Sequence, residues 1–128
     1  MKKNESTNNR PNGERMIDAP FVFTDIFRYL NQLKQESAYE KNDRNAITVF
    51  KTDRLTEVLL CLHSDATIED NSIDGIVIIQ VIEGKIKLLI EDKNLELGPG
   101  QLISLHPNVK HSIMATKDSS LLLVNYEQ

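Results

Sequence analysis

Ile76-Val77-Ile78-Ile79-Gln80-Val81-Ile82-Glu83-Gly84-Lys85-Ile86-Lys87-Leu88-Leu89-Ile90 is the stretch whose reading decides the fold. Its first half is rich in β-branched residues and too short and flat in pattern for an amphipathic helix. The near-continuous apolar run from position 76 to 82 suits a strand buried on both faces. Glu83-Gly84 makes a tight turn, and residues 85–90 begin as a second strand with one polar face. The same pattern continues outward. Upstream, residues 46–50 and 56–63 read as strands joined through Thr52-Asp53-Arg54. Downstream, Leu95-Glu96-Leu97 alternates strictly, Gly98-Pro99-Gly100 punctuates, and residues 101–105, 111–115 and 121–126 are short and apolar. Seven or eight short strands with regularly spaced turns predict an all-β antiparallel sandwich or small barrel over about residues 46–126. Open sheet edges invite pairing, so a homodimer is expected.

Before the strands, the pattern is helical. Thr24 or Asp25 can cap a helix over about residues 24–38, with Ile26, Phe27, Leu30 and Leu33 on one face and Arg28, Asn31, Lys34 and Gln35 opposite. The polar face is not strongly basic, so this stripe is expected to cover a core rather than lie on a membrane. Residues 1–16 hold almost no apolar side chains, and the first fifteen carry four basic and two acidic residues. Such a stretch cannot bury enough surface to offset its ordering entropy, which predicts a flexible arm free in solution or draped over a partner subunit.

The 128 residues allow a single domain, here 17–128, and the formal charge of −4 argues against nucleic acid or an anionic membrane as partner. No apolar run is long enough to span a bilayer, and Met1-Lys2-Lys3 leads into polar residues rather than a signal sequence, so the expected compartment is the cytoplasm. The single cysteine, Cys61, excludes an intramolecular disulfide, and its apolar surroundings predict an inert thiol. Ser64, Ser72, Ser104 and Ser112 lack a nucleophile-elbow context, and Gly98 and Gly100 do not open a helix that could cradle phosphate.

From Leu59 to Val124 the chain resembles the cupin superfamily. Gly84, in Gln80-Val81-Ile82-Glu83-Gly84, stands where the first family motif closes. Gly100, residues 101–105, the His106-Pro107-Asn108 turn and His111 reproduce the spacing of the second. The segment Asp43-Arg44-Asn45-Ala46-Ile47-Thr48-Val49-Phe50-Lys51, with Ile79-Gln80-Val81 and residues 115–123, is similar to small bacterial cupins of the RmlC-like kind, extending the resemblance to about residues 18–126. The resemblance implies a jelly-roll β-barrel with a short N-terminal helix, and in the family a metal held by imidazoles and a carboxylate.

The departures from that pattern carry the functional expectation. Val77 stands where the family glutamate would be, and the paired histidines fall on Asp70 and Ser72, or on Asn71 and Ile73. Only His111 survives from the metal constellation, and a divalent ion facing Val77 and Ile79 would be poorly compensated. The leading expectation is a non-catalytic small-molecule-binding or structural cupin without a cofactor, its pocket formed by His111, Ser104, Met114, Val77 and Ile79. The alternatives are a metal-dependent oxygenase or isomerase using His111, His106, Glu69 and Asp70, and a sensor module. The run from Asp65 to Asp74, with Glu69, Asp70 and Asn71, reads as a solvated acidic loop in which a hard cation is the lesser alternative. His63 reads as an exposed strand end.

Overall fold

The computed structural model describes residues 2–4 and 15–127, with the backbone alone described at 2–4, 70 and 71. The chain begins with a short antiparallel pair, β1 (Lys2–Asn4) on β2 (Arg15–Asp18). Residues 5–14, which make up most of the expected flexible arm, lie outside the described residues. Two helices follow, α1 (Ile26–Gln35) and α2 (Ser37–Lys41). The strands are then β3 (Arg44–Lys51), β4 (Leu55–Leu62), β5 (Thr67–Asn71), β6 (Gly75–Glu83), β7 (Ile86–Ile90), β8 (Lys93–Leu97), β9 (Leu102–Leu105), β10 (His111–Ala115) and β11 (Ser119–Glu127).

These strands form two antiparallel sheets, a five-stranded one ordered β3-β4-β11-β6-β9 and a four-stranded one ordered β5-β10-β7-β8. This is the all-β antiparallel sandwich the turns predict, and the jelly roll the cupin resemblance implies. Besides β1 and β2, which were not expected ahead of the helix, one strand was not legible. Residues 67–71, expected as acidic loop, form β5 along β10, because pairing with an existing edge outweighs the low intrinsic strand preference of Glu69, Asp70 and Asn71.

The main core lies between the sheets. Val77, Ile79 and Val81 of β6 meet Ile86 and Leu88 of β7, Ile113 and Ala115 of β10 and Leu121 of β11, all buried. The run from 76 to 82, expected to be buried on both faces, alternates instead: Val77, Ile79 and Val81 are buried while Ile76, Ile78, Gln80 and Ile82 are only partly so. The reason is that the helices cover only part of the outer face. Leu30 and Leu33 of α1 and Tyr39 of α2 pack on Leu59 and Cys61 of β4 and Ile47 and Val49 of β3, reaching Ile82 and Leu122 and no further along β6 and β11.

Asp25 caps α1, its Oδ1 accepting from the Arg28 N–H at 3.3 Å. The buried stripe is Ile26, Tyr29, Leu30 and Leu33; Phe27, expected on it, is 61% exposed because it lies one residue off the contact line. Lys34 ties the helix to the sheet through Glu83 at 2.7 Å. Glu83 accepts in turn from Ser120, whose hydroxyl lies 3.6 Å from the Cys61 sulfur. Burial pushes the Cys61 thiol up, as expected of an inert structural cysteine. None of the described helices is long and apolar enough to cross a membrane.

Two outcomes follow from these contacts. Gly84 adopts φ +87°, and a Cβ there would sit 2.4 Å from the Asp118 carbonyl oxygen, whereas one at Gly98 would meet nothing within 4 Å. In denaturant melts Gly84→Ala is expected to cost about 2 kcal/mol or more and Gly98→Ala no more than about 0.5 kcal/mol; equal effects would contradict the tight β6–β7 turn. The hydrogen bond from Lys34 holds the Glu83 carboxyl below its ordinary range. The unfolded chain therefore binds more protons, and this contribution is present above pH 4.5 and lost as pH falls further. Both side chains are partly exposed, so Glu83→Gln is expected to cost below about 1 kcal/mol at neutral pH and nothing in strong acid. A cost that persists in acid would contradict the pair's role.

Candidate functional site

Several segments converge at one end of the barrel. The backbone N–H of Asn108 donates to the Ile73 carbonyl at 2.8 Å, tying the β9–β10 loop to the β5–β6 loop. Asn108 takes the left-handed conformation with φ 66°, which an asparagine tolerates in a tight turn. β6 starts here, β9 ends here with Leu105 paired to Val77, and β10 starts here with His111 paired to Ile90 and Asn71. Ile73, Ile90 and Val109 pack half-buried against the core at this end.

Among the described side chains, His111 is the polar one that a barrel strand carries inward at this end. It shares the inner face of β10 with Ile113 and Ala115 and is 2% exposed. Its Nδ1 lies 3.0 Å from the Val109 carbonyl oxygen. A carbonyl only accepts, so Nδ1 carries a proton, and whenever the ring is neutral Nε2 is the acceptor. Nε2 has no hydrogen-bond partner among the described residues. The barrel therefore offers one oriented acceptor in a hydrocarbon setting.

The structure brings together His111, Val77 and Ile79, all facing the space between the sheets. It separates the other two pocket candidates from them. Met114 is three residues from His111, an odd step on a strand of period two, and lies on the outer face. Ser104, paired with Ile78 between the inward residues Ile103 and Leu105, is exposed on the outside of β9. Strand parity fixes both; for Met114 the odd step from His111 is already in the sequence, whereas Ser104 is fixed by its register on β6.

The atypical metal set is not assembled. His106 is exposed in the β9–β10 turn, and Glu69 is exposed on the outside of β5, across the sheet from the His111 ring. The side chain of Asp70 lies outside the described residues. Among the described residues no three of His, Cys, Asp and Glu are grouped to hold a metal ion. The family's metal centre does not fit the donors present, since a single imidazole faces valine where a carboxylate is needed.

Outside the barrel, Thr67, Glu69, Lys87, Leu89, Asn94, Ser112 and Met114 border a shallow groove of about 380 Å³ on the outer face of the four-stranded sheet. His63 is not the exposed strand end expected from the sequence. Its ring stacks on Tyr39 at 3.8 Å and 14°, and its Nε2 donates to the Tyr39 carbonyl at 2.7 Å, so it fastens α2 to the end of β4. Burial, with the Asp118 carboxylate nearby, pushes the Tyr39 hydroxyl up to about 12.

The family described as the AraC-like ligand binding domain matches residues 52–127. Among solved structures, the TT1209 protein of Thermus thermophilus is similar at 18% identity and TM-score 0.68, over 84% of this chain and 98% of that one. A cupin superfamily protein of Desulfitobacterium hafniense aligns at 14% identity and TM-score 0.66, over 68% and 80% of the two chains. KdgF from a Halomonas species aligns at 18% identity and TM-score 0.64, over 67% and 82%. At such identities the likeness shows the fold alone, a cupin jelly roll. A search of curated proteins finds no match.

The hydrogen bond to Val109 makes a spectroscopic prediction. Long-range ¹H–¹⁵N correlation of the neutral His111 ring is expected to show Nδ1 protonated and Nε2 bare; the opposite tautomer would remove the acceptor from the barrel mouth.

Proposed function

The chain belongs to the AraC-like ligand binding domain family, and on that premise we propose that it is a non-catalytic cupin that binds a small molecule at the open end of the barrel, working in the cytoplasm as a homodimer. The observation that carries the ligand reading is His111, whose Nδ1 is committed to Val109 and whose Nε2 has no partner among the described residues. Binding pockets commonly pair an apolar wall with a few oriented polar groups. Ile73, Ile90 and Val109 supply such a wall here. The matching ligand has an apolar body and one O–H or N–H donor. The non-catalytic part is supported by the donor set, because among the described residues His106 and Glu69 stand apart from His111.

Phenol and anisole share a ring and differ in the donor, so they test this directly. Methyl-detected NMR titration is expected to shift Ile73, Ile90 and Val109 with phenol, and to show affinity for anisole weaker by about tenfold, the worth of one hydrogen bond in an apolar site. His111→Leu is expected to erase the difference. Equal affinity of the native chain for both probes, or stoichiometric transition metal in the purified protein that is lost in His111→Ala, would overturn the reading.

A further inference from the structure

Among the described residues, two apolar surfaces have no cover. Between β2 and α1, residues 21–25 form neither helix nor strand, with Phe21 85% exposed and Phe23 83% exposed. Phe27, at the start of α1, adds a third aromatic ring at 61%. No residue from 19 to 24 forms a backbone hydrogen bond among the described residues. The second surface is the part of the five-stranded sheet's outer face that the helices do not reach. The register places Ile76 beside Tyr126 and Ile78 beside Val124, with Leu102 of β9 next to Gln80 on the same face. Leu102 is 54% exposed and Tyr126 40%, and the other three are only half-buried.

We propose that the Phe21–Phe23–Phe27 segment of one copy of this chain packs on the Ile76, Ile78, Val124, Tyr126 and Leu102 strip of a second copy, and that the two copies exchange these segments reciprocally. This inference names the surface behind the homodimer in the preceding reading and rests on that part of it alone, not on the ligand.

Charge favours a second copy over a lipid surface. Residues 16–27 contain Asp18 and Asp25 and no lysine or arginine, so an anionic membrane would repel the segment, whereas the five strip residues are uncharged, with Glu57 of β4 beside Val124 at their edge. Area points the same way. Three exposed phenylalanines supply on the order of 450 Å² and the strip a few hundred more. Each copy gives one segment and receives another, which reaches the roughly 800 Å² per partner typical of stable complexes. Two-fold closure also satisfies both surfaces on both chains, leaving no free end to propagate a fibre.

Light scattering coupled to size exclusion, on the full chain at tens of micromolar, is the test. The native protein is expected to be a dimer and Phe21→Ser/Phe23→Ser a monomer with unchanged circular dichroism. Ile78→Lys is expected to be monomeric too, with Leu102→Lys as a second strip variant should Ile78→Lys fold poorly. Mixing the segment variant with a strip variant is expected to restore a heterodimer, since one intact segment and one intact strip remain; a merely structural defect in either chain would not be rescued. A native dimer untouched by these substitutions would overturn this interface while leaving the homodimer standing. A native monomer would overturn both, whether or not it sediments with phosphatidylcholine vesicles. Neither result bears on the phenol titration.

Discussion

The antiparallel registration of β6 against β11 and β9 is the constraint on which the rest of the molecule depends. It points Val77, Ile79 and Val81 into the space between the sheets, where they close against Ile86, Leu88, Ile113 and Ala115. Because side chains alternate with period two, one residue of slip would exchange this set for Ile76, Ile78 and Gln80 and bring an amide into the core. The turn at Gly84 helps hold that register, since Asp118 and Ser119 crowd the space where any Cβ would go.

The same parity distributes the chemistry. His111 is an even number of residues from Ile113 and Ala115 and so enters the barrel with them, while Ser112 and Met114 face out. It sets Val77 opposite Leu105 at the mouth, hydrocarbon on hydrocarbon, where a metal centre would need a carboxylate. It also turns Ile76 and Ile78 to the exterior, creating apolar surface that α1 and α2 are too short to cover.

Much of this was legible in the amino-acid order. The strand series and the surviving His111 followed from periodicity, turn residues and motif spacing, whereas the one helix expected over 24–38 is divided at Glu36 into α1 and α2. Asp25 as cap was one of two readable options. What could not be read depended on partners distant in sequence. β5 was hidden because Glu69-Asp70-Asn71 has no strand character of its own and is held by β10. Ser104 looked like a pocket residue because it neighbours inward positions, and only pairing fixes which way it points, whereas the odd step of Met114 from His111 was already in the sequence. His63 gave no local hint of Tyr39, twenty-four residues away, on which it stacks. Phe27 read as part of the helix stripe, and its exposure emerged once the contact line of α1 on the sheet was known.

The central claim is that His111 presents a bare Nε2 to an organic donor in an otherwise apolar mouth. A crystal structure of the protein purified without chelators, with anomalous data collected, measures this most directly. The account predicts non-metal density whose nearest oxygen or nitrogen lies about 2.7–3.0 Å from Nε2, without anomalous signal. An anomalous scatterer about 2.0–2.1 Å from that nitrogen, with further protein ligands drawn in around it, would contradict it.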